Sequence, residues 1–284
     1  MENQEQYWDE EIKPSSKLLD LQLKEVWKYR DLLLLFVKRD FTAQYKQTIL
    51  GPLWHFIQPI FTTIVFLTVF NKIANIPTDG IEPILFYMSG IALWNYFSSC
   101  LSATSATFTS NAGIFGKVYF PRLVIPLSTV LSQLIKFGIQ FLLLLIAMIY
   151  FGIKNNSFHF GFSWLLIPVL LLMMAALGLG LGIIISSLTT KYKDFTVLIG
   201  FAVQLLMYAT PIAYPLSFLK SNGNAWVVLY NPLTPIVEAF RYALFGFGSF
   251  SSMQLLNSAI FIFVTLLVGI IMFNKVERSF MDTV

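Results

Sequence analysis

Six stretches of this chain run for roughly twenty residues each with hardly a charge among them, near 53–71, 84–107, 129–152, 164–188, 196–215 and 254–274. Nothing constrains the fold more. Lipid satisfies no backbone N–H or C=O, whereas a helix satisfies its own, so about 20 apolar residues in a helix is what the hydrocarbon core demands. Four of the stretches, 84–107, 164–188, 196–215 and 254–274, contain no Asp, Glu, Lys or Arg. The first holds His55 and the third holds Lys136. Apolar residues run continuously rather than alternating, which excludes an outer-membrane barrel. The expected fold is an all-α integral membrane protein with six transmembrane helices in residues 51–284, preceded by an N-terminal tail and interface helix in residues 1–50.

Composition agrees. Of 284 residues, 56% are hydrophobic and only 12% charged, about half the charge fraction usual in a soluble domain. The single cysteine, Cys100, excludes an intrachain disulfide and a multi-cysteine metal cluster. The net charge of +4 does not point to nucleic acid, because most basic residues lie between apolar runs rather than on one soluble face. The acidic start, MENQEQYWDEE, lacks the basic opening and early apolar core of a cleavable signal peptide. Six crossings put both termini on one side. Fourteen Lys and Arg fall on that side and four on the other, which predicts cytoplasmic termini.

The segments between spans carry their own pattern. Residues 18–48 have helical spacing: Leu19, Leu23, Val26 and Trp27 on one face, then Leu33, Phe36, Val37, Phe41 and Tyr45. Such a helix can lie in the membrane interface with basic residues near lipid phosphates. At Gly51-Pro52 the chain turns into the first span, glycine allowing unusual dihedrals and proline suiting a first helical turn. The cytoplasmic loop FTSNAGIFGKVYFPRLVIPLS (108–128) is too apolar for an idle loop. A short helix near 111–122, closed by Pro121, would dock against a partner or pack as a re-entrant turn on its own bundle. On the other side, residues 226–248 have helical spacing broken by Pro232 and Pro235, which predicts two re-entrant half-helices in the outer leaflet. Glu238 and Arg241, three apart, pair either in a low-dielectric setting or as an exposed pair of little worth. Gly178 and Gly182 form a GxxxG that fits internal packing ahead of a dimer seam.

Chemistry is sparse. No GxSxG or HExxH occurs, and the histidines are only His55 and His159. GIFGK (113–117) is not a phosphate loop, because Asn111 stands where its first glycine belongs and Val118 follows the lysine. The chain therefore has no cofactor site of its own and is not expected to be an enzyme. Lys136, inside a span, either snorkels to the head groups or lines a polar path. Aromatic residues are plentiful. Trp94, Tyr96, Phe97, Tyr208 and Tyr214 lie near span centres or outer ends, where rings anchor the bilayer, fill the core, or stack on sugar faces along a glycan path.

FVKRDFTAQYKQTILGPLWHFIQP (36–59), FGKVYFPRLVIPLS (115–128), TTKYKDF (189–195) and YNPLTPIVEAFRYALFG (230–246), in that order, resemble the type-2 ABC exporter permeases. Within these they are most similar to the branch that exports polysaccharides such as O-antigen and teichoic acid. The resemblance implies an inner-membrane, multi-pass subunit that forms a homodimer and joins two ATP-binding cassette subunits, on which ATP and Mg act. It implies a lipid-linked polysaccharide substrate in contact with membrane lipids, and no nucleic acid. By position it places Arg39, Asp40 and Tyr45, with Ile114, Phe115, Lys117, Tyr119, Phe120, Pro121 and Arg122 of a coupling helix, nearest the ATP-binding partner. It places Asn231, Pro232, Pro235, Glu238 and Arg241 at an outer gate. Three rivals stand beside it: an ion-coupled carrier, which would need intramembrane acids, a membrane-embedded transferase, which would need a clustered acid or histidine site, and an exporter of the same fold that moves capsule, lipid or drug.

Overall fold

The computed structural model describes residues 23–46, 49–115, 117–155, 161–192, 194–221, 226–248 and 250–280. The acidic start, Leu19, His159, Lys193 and the centre of the SNGN turn lie outside these, as do the side chains of Tyr45 and Arg278. Every regular element among the described residues is helical. In chain order the α-helices are α1 (Leu23–Lys28), α2 (Arg30–Tyr45), α3 (Trp54–Phe66, continued by a π-helix over Leu67–Ile73), α4 (Pro83–Ser105), α5 (Thr107–Phe115), α6 (Val124–Asn155), α7 (Leu166–Thr189), α8 (Phe195–Tyr208), α9 (Leu216–Ser221), α10 (Trp226–Leu229), α11 (Thr234–Phe245) and α12 (Ser252–Phe280), with 3-10 turns at Gly51–Leu53 and Phe162–Leu165.

Five stretches are long and apolar enough to cross a bilayer: Trp54–Ile73, Pro83–Ser105, Val124–Lys154, Phe162–Thr189 and Ser252–Val276. They match five of the six expected spans. The sixth, expected at 196–215, departs: the 14-residue α8 ends at Tyr208. At 1.5 Å per residue it is about 21 Å long, short of a core of roughly 30 Å. Pro211 is the cause, because proline disfavours helical geometry at the residue before it. Beyond α8 the chain runs on unwound. Ser217 then donates to the Asp79 carboxylate at 2.6 and 2.7 Å, past the far end of α3. The preceding α7 ends elsewhere, with the Thr189 hydroxyl 3.5 Å from the Ser105 carbonyl.

The bundle is built on α7, which packs along α4 and α12. Its glycines make that possible. A Cβ on Gly178 would stand 2.8 Å from Cys100 Cβ, and one on Gly182 would stand 2.6 Å from Thr104 Cβ. On the facing side, Gly180 meets the backbone of α12 at Thr265 and Leu266. Lipid tails are as apolar as leucine, so close packing of small residues is what holds such helices together. The GxxxG is thus an internal seam between α4 and α7.

Two expected elements change shape. The single helix expected over 18–48 is divided at Tyr29 (φ −90°, ψ 20°) into α1 and α2. Its second face packs inward as expected: Phe36 and Val37 are buried and Leu33 and Phe41 half-buried, with α2 lying against α6. The short helix expected near 111–122 is instead α5, Thr107–Phe115, and the described residues from Lys117 to Leu123 form turns and irregular chain. Pro121 accounts for the non-helical residue before it. Gly51 does form the corner into α3, at φ +47°.

Candidate functional site

At the end of the bundle that carries α1, α2 and α5, a cluster of aromatic rings forms a second core separate from the main one. Phe120, in the irregular stretch after α5, lies 5.8 Å from Phe36 of α2 and 5.9 Å from Phe115 of α5. Phe115 reaches Phe108 at 5.9 Å, and Phe108 stacks on Phe273 of α12 at 4.7 Å. Each such pair adds about 0.5–1.5 kcal/mol beyond its burial. The Phe108 N–H also donates to Ser186 Oγ of α7 at 3.2 Å. One hub therefore ties the N-terminal helix and the loop to the ends of α7 and α12.

The expected partner-facing residues divide around this hub. Phe115 and Phe120 are buried in it, Pro121 is buried next in the chain, and Ile114 is half-buried against it. Lys117, Val118 and Tyr119 are exposed. Arg122 lies over the Phe115 ring at 5.5 Å, and Arg39 lies over the Phe36 ring at 4.6 Å. Arg39 also grips Asp40 through two nitrogens, at 2.8 and 2.9 Å. Phe115, Phe120 and Pro121 thus form the floor, and Lys117, Val118 and Tyr119 the face.

At the opposite end, a polar knot closes the gap left by the unwinding after α8. The Arg241 Nη1 donates to the Pro211 carbonyl at 2.7 Å and Nη2 to the Ile212 carbonyl at 3.0 Å. Asn231 Nδ2 donates to the Ala209 carbonyl and to Thr210 Oγ1, each at 2.9 Å. Its Oδ1 accepts from the Leu233 N–H at 2.9 Å, which fixes the entry to α11. Backbone carbonyls stripped of helix partners must be satisfied somewhere, and these two side chains do it. Arg241 is 1% exposed and Glu238 3%, 3.4 Å apart, so the low-dielectric reading of that pair holds and the exposed one does not. Burial lowers the guanidinium from its ordinary value and the Glu238 carboxylate opposes that shift. Arg241 also stacks on Phe86 of α4 at 3.6 Å. Pro235 lies in the first turn of α11, where its missing N–H costs nothing. Pro232 is half-buried at the mouth of a cavity of about 210 Å³ against α12. The two expected half-helices are unequal: α10 is a single turn, whereas α11 is buried along nearly its whole length.

The aromatic residues separate too. Trp94, Tyr96 and Phe97 are buried in the main core, Trp94 against Phe97 at 5.6 Å and Tyr96 against Phe137 at 5.4 Å. Trp94 and Phe97 pack ring to ring, whereas Tyr96 also borders a cavity. Tyr208 is exposed, and the Tyr214 hydroxyl donates to its carbonyl. Of the two readings of Lys136, the polar lining fits: it borders a cavity with His55 and Gln58 of α3 and Asn95, Tyr96 and Ser99 of α4. The carbonyl-capping role of Asn231 and Arg241 was missing from the sequence reading, although an Arg in an apolar, proline-broken stretch was its signal.

Known proteins align with this chain over most of its length. The model of a family described as ABC-2 type transporter matches residues 31–245. The O-antigen export system permease protein RfbA of Klebsiella pneumoniae is 26% identical over 253 residues, covering 89% of this chain and 94% of that protein. Its namesake in Myxococcus xanthus is 26% identical over 222 residues, covering 77% and 82%. The polysialic acid transport protein KpsM of Escherichia coli is 24% identical over 253 residues, covering 86% and 93%.

Proposed function

Because the chain belongs to the ABC-2 type transporter family, we propose that it is the membrane-spanning permease subunit of an ATP-driven exporter that moves a lipid-linked cell-surface polysaccharide, O-antigen-like or capsular, across the bacterial inner membrane. The observation that carries this reading is the near end-to-end alignment with permeases named for O-antigen export.

In this reading two copies of the chain form the conduit and two ATP-binding subunits supply the work, with ATP and Mg bound there. The basic end faces the cytoplasm. The sixth crossing is made by α8 together with the unwound residues after it, a reading supported by the Ser217–Asp79 bond. Nucleotide binding draws the partner subunits together, and they press on Lys117, Val118 and Tyr119. The aromatic hub passes that displacement to α2, α7 and α12 as one unit, because packed rings move together rather than compress. At the outer end the Asn231–Arg241 knot holds the gate segment against α4.

The test is a deletion strain. Surface polysaccharide is expected to vanish while its lipid-linked precursor accumulates inside, and both are expected to revert when the chain returns with its ATP-binding subunit. Unchanged surface polysaccharide after deletion overturns the reading.

A further inference from the structure

Export as described leaves Lys136 without a task. Among the described residues it is the one charged side chain set well inside a candidate span. It lies about 18 Å along α6 from Val124 and about 28 Å from Asn155, at 1.5 Å per residue. A charge at such depth persists in a membrane protein by pairing or by facing a polar cavity, and it marks a functional site more often than a structural one.

Lys136 faces a cavity of about 150 Å³ between α3, α4 and α6. Gln58, Asn95, Ser99, Gln133 and Gln140 border it too. An apolar cavity of that size admits a benzene ring, so a group the size of a phosphate is accommodated. Each of these side chains donates: three protons from the ammonium, two from each carboxamide and one from the hydroxyl. Among the described residues no carboxylate borders the cavity. Asn95 Nδ2 spends a proton on Gln140 Oε1 at 3.2 Å, which leaves the Gln140 amide nitrogen to donate elsewhere. The carboxylate that acts on Lys136 is Asp40 of α2, and Arg39 already holds it at 2.8 Å. The three together carry a net positive charge.

A donor-rich, cationic, carboxylate-free cavity inside a bilayer selects an anion that the bilayer itself supplies. We propose that this cavity binds the phosphate of a membrane lipid, with Lys136 as counter-charge and Gln58, Gln133 and Gln140 as hydrogen-bond donors. The phosphate belongs either to a bulk anionic phospholipid or to a phosphorylated lipid that bears cargo. Both present the same oxygens to the same donors.

The test uses the full chain with its ATP-binding subunit in phosphatidylcholine nanodiscs, read by native mass spectrometry of the ligand retained per chain. One arm adds phosphatidylglycerol to the discs and the other adds farnesyl diphosphate. The wild type and Lys136→Arg are expected to retain ligand in at least one arm. Lys136→Gln is expected to lose about tenfold in occupancy there, the worth of hydrogen bonds to a charged group. Retention in the first arm assigns the site to bulk phospholipid, and retention in the second assigns it to a cargo-type diphosphate. Equal retention by Lys136→Gln and wild type in both arms, or none by the wild type in either, overturns the proposal. Should Lys136→Gln fail to assemble, Gln140→Leu carries the test: it keeps the charge, and unchanged retention overturns the proposal equally. The readout is binding, so it stands or falls independently of polysaccharide export.

Discussion

Arg241 heads the fully buried side chains of the described residues, and apart from its pair with Glu238 on the same helix its contacts reach other segments. Two carbonyls of the unwound stretch, the Glu238 carboxylate and the Phe86 ring converge on it. Arg241→Ala would strip that buried carboxylate of its guanidinium and take the donor from two carbonyls. The expected loss is about 3–5 kcal/mol, measured as a lowered thermal midpoint of the detergent-purified complex. Lysine would not rescue it, because a point charge cannot reproduce a planar fork that reaches two carbonyls. The Glu238→Gln, Arg241→Met double variant should be the milder lesion, since it removes both charges. Gly182 gives a second residue-scale prediction. An alanine there would push its Cβ to within 2.6 Å of Thr104 Cβ, close to that residue's backbone and unable to rotate away. Overpacking of this kind costs about 1–3 kcal/mol. The same midpoint should fall for Gly182→Ala and stay unchanged for Gly138→Ala, where a Cβ meets open space.

Among elements, the stretch between α5 and α6 divides floor from face. Phe120→Ala should loosen the hub at a cost of about 3–5 kcal/mol. Faster proteolysis of the N-terminal helix is the expected readout, because Phe36 loses a ring partner. Tyr119→Asp with Lys117→Glu, both on exposed positions, should leave the thermal midpoint unchanged. The same variant should reduce co-purification of the ATP-binding subunit and abolish its ATPase stimulation. Association and stimulation equal to wild type would remove the partner contact from this face. The sequence pattern made no such division: it read Ile114, Phe115, Val118, Tyr119 and Phe120 together as one short helix, docked on a partner or packed on its own bundle, because these five are all apolar or aromatic and spacing alone does not say which way each side chain turns.

For the whole molecule, the question is how many times the chain crosses. If α8 and the unwound residues after it complete a sixth crossing, a single cysteine at Ser217 in a Cys100→Ser background should react with an impermeant thiol reagent from outside intact spheroplasts. A cysteine at Tyr192 should react only after lysis. Labelling of both positions from the same side would rule out the sixth crossing. In mild detergent the permease should run as two copies bound to two ATP-binding subunits, by mass.

Sequence by itself determined that this is a helical membrane protein and where five of its candidate spans lie. The reason is that hydrocarbon imposes one rule, about 20 apolar residues with an internally satisfied backbone, and that rule is written locally. Glycine spacing likewise foretold a close helix seam, since the absence of a side chain is a local fact. What tertiary structure decided is where segments without such a rule go. The capture of the carbonyls freed beyond α8 by residues 22 to 30 positions further on, and the opening of Lys136 onto a cavity shared by three helices, both join residues distant in the chain. Trp94, Tyr96 and Phe97 make the same point from the other side. They are aromatic residues of the kind that can line a glycan path, and packing against neighbouring helices made them core.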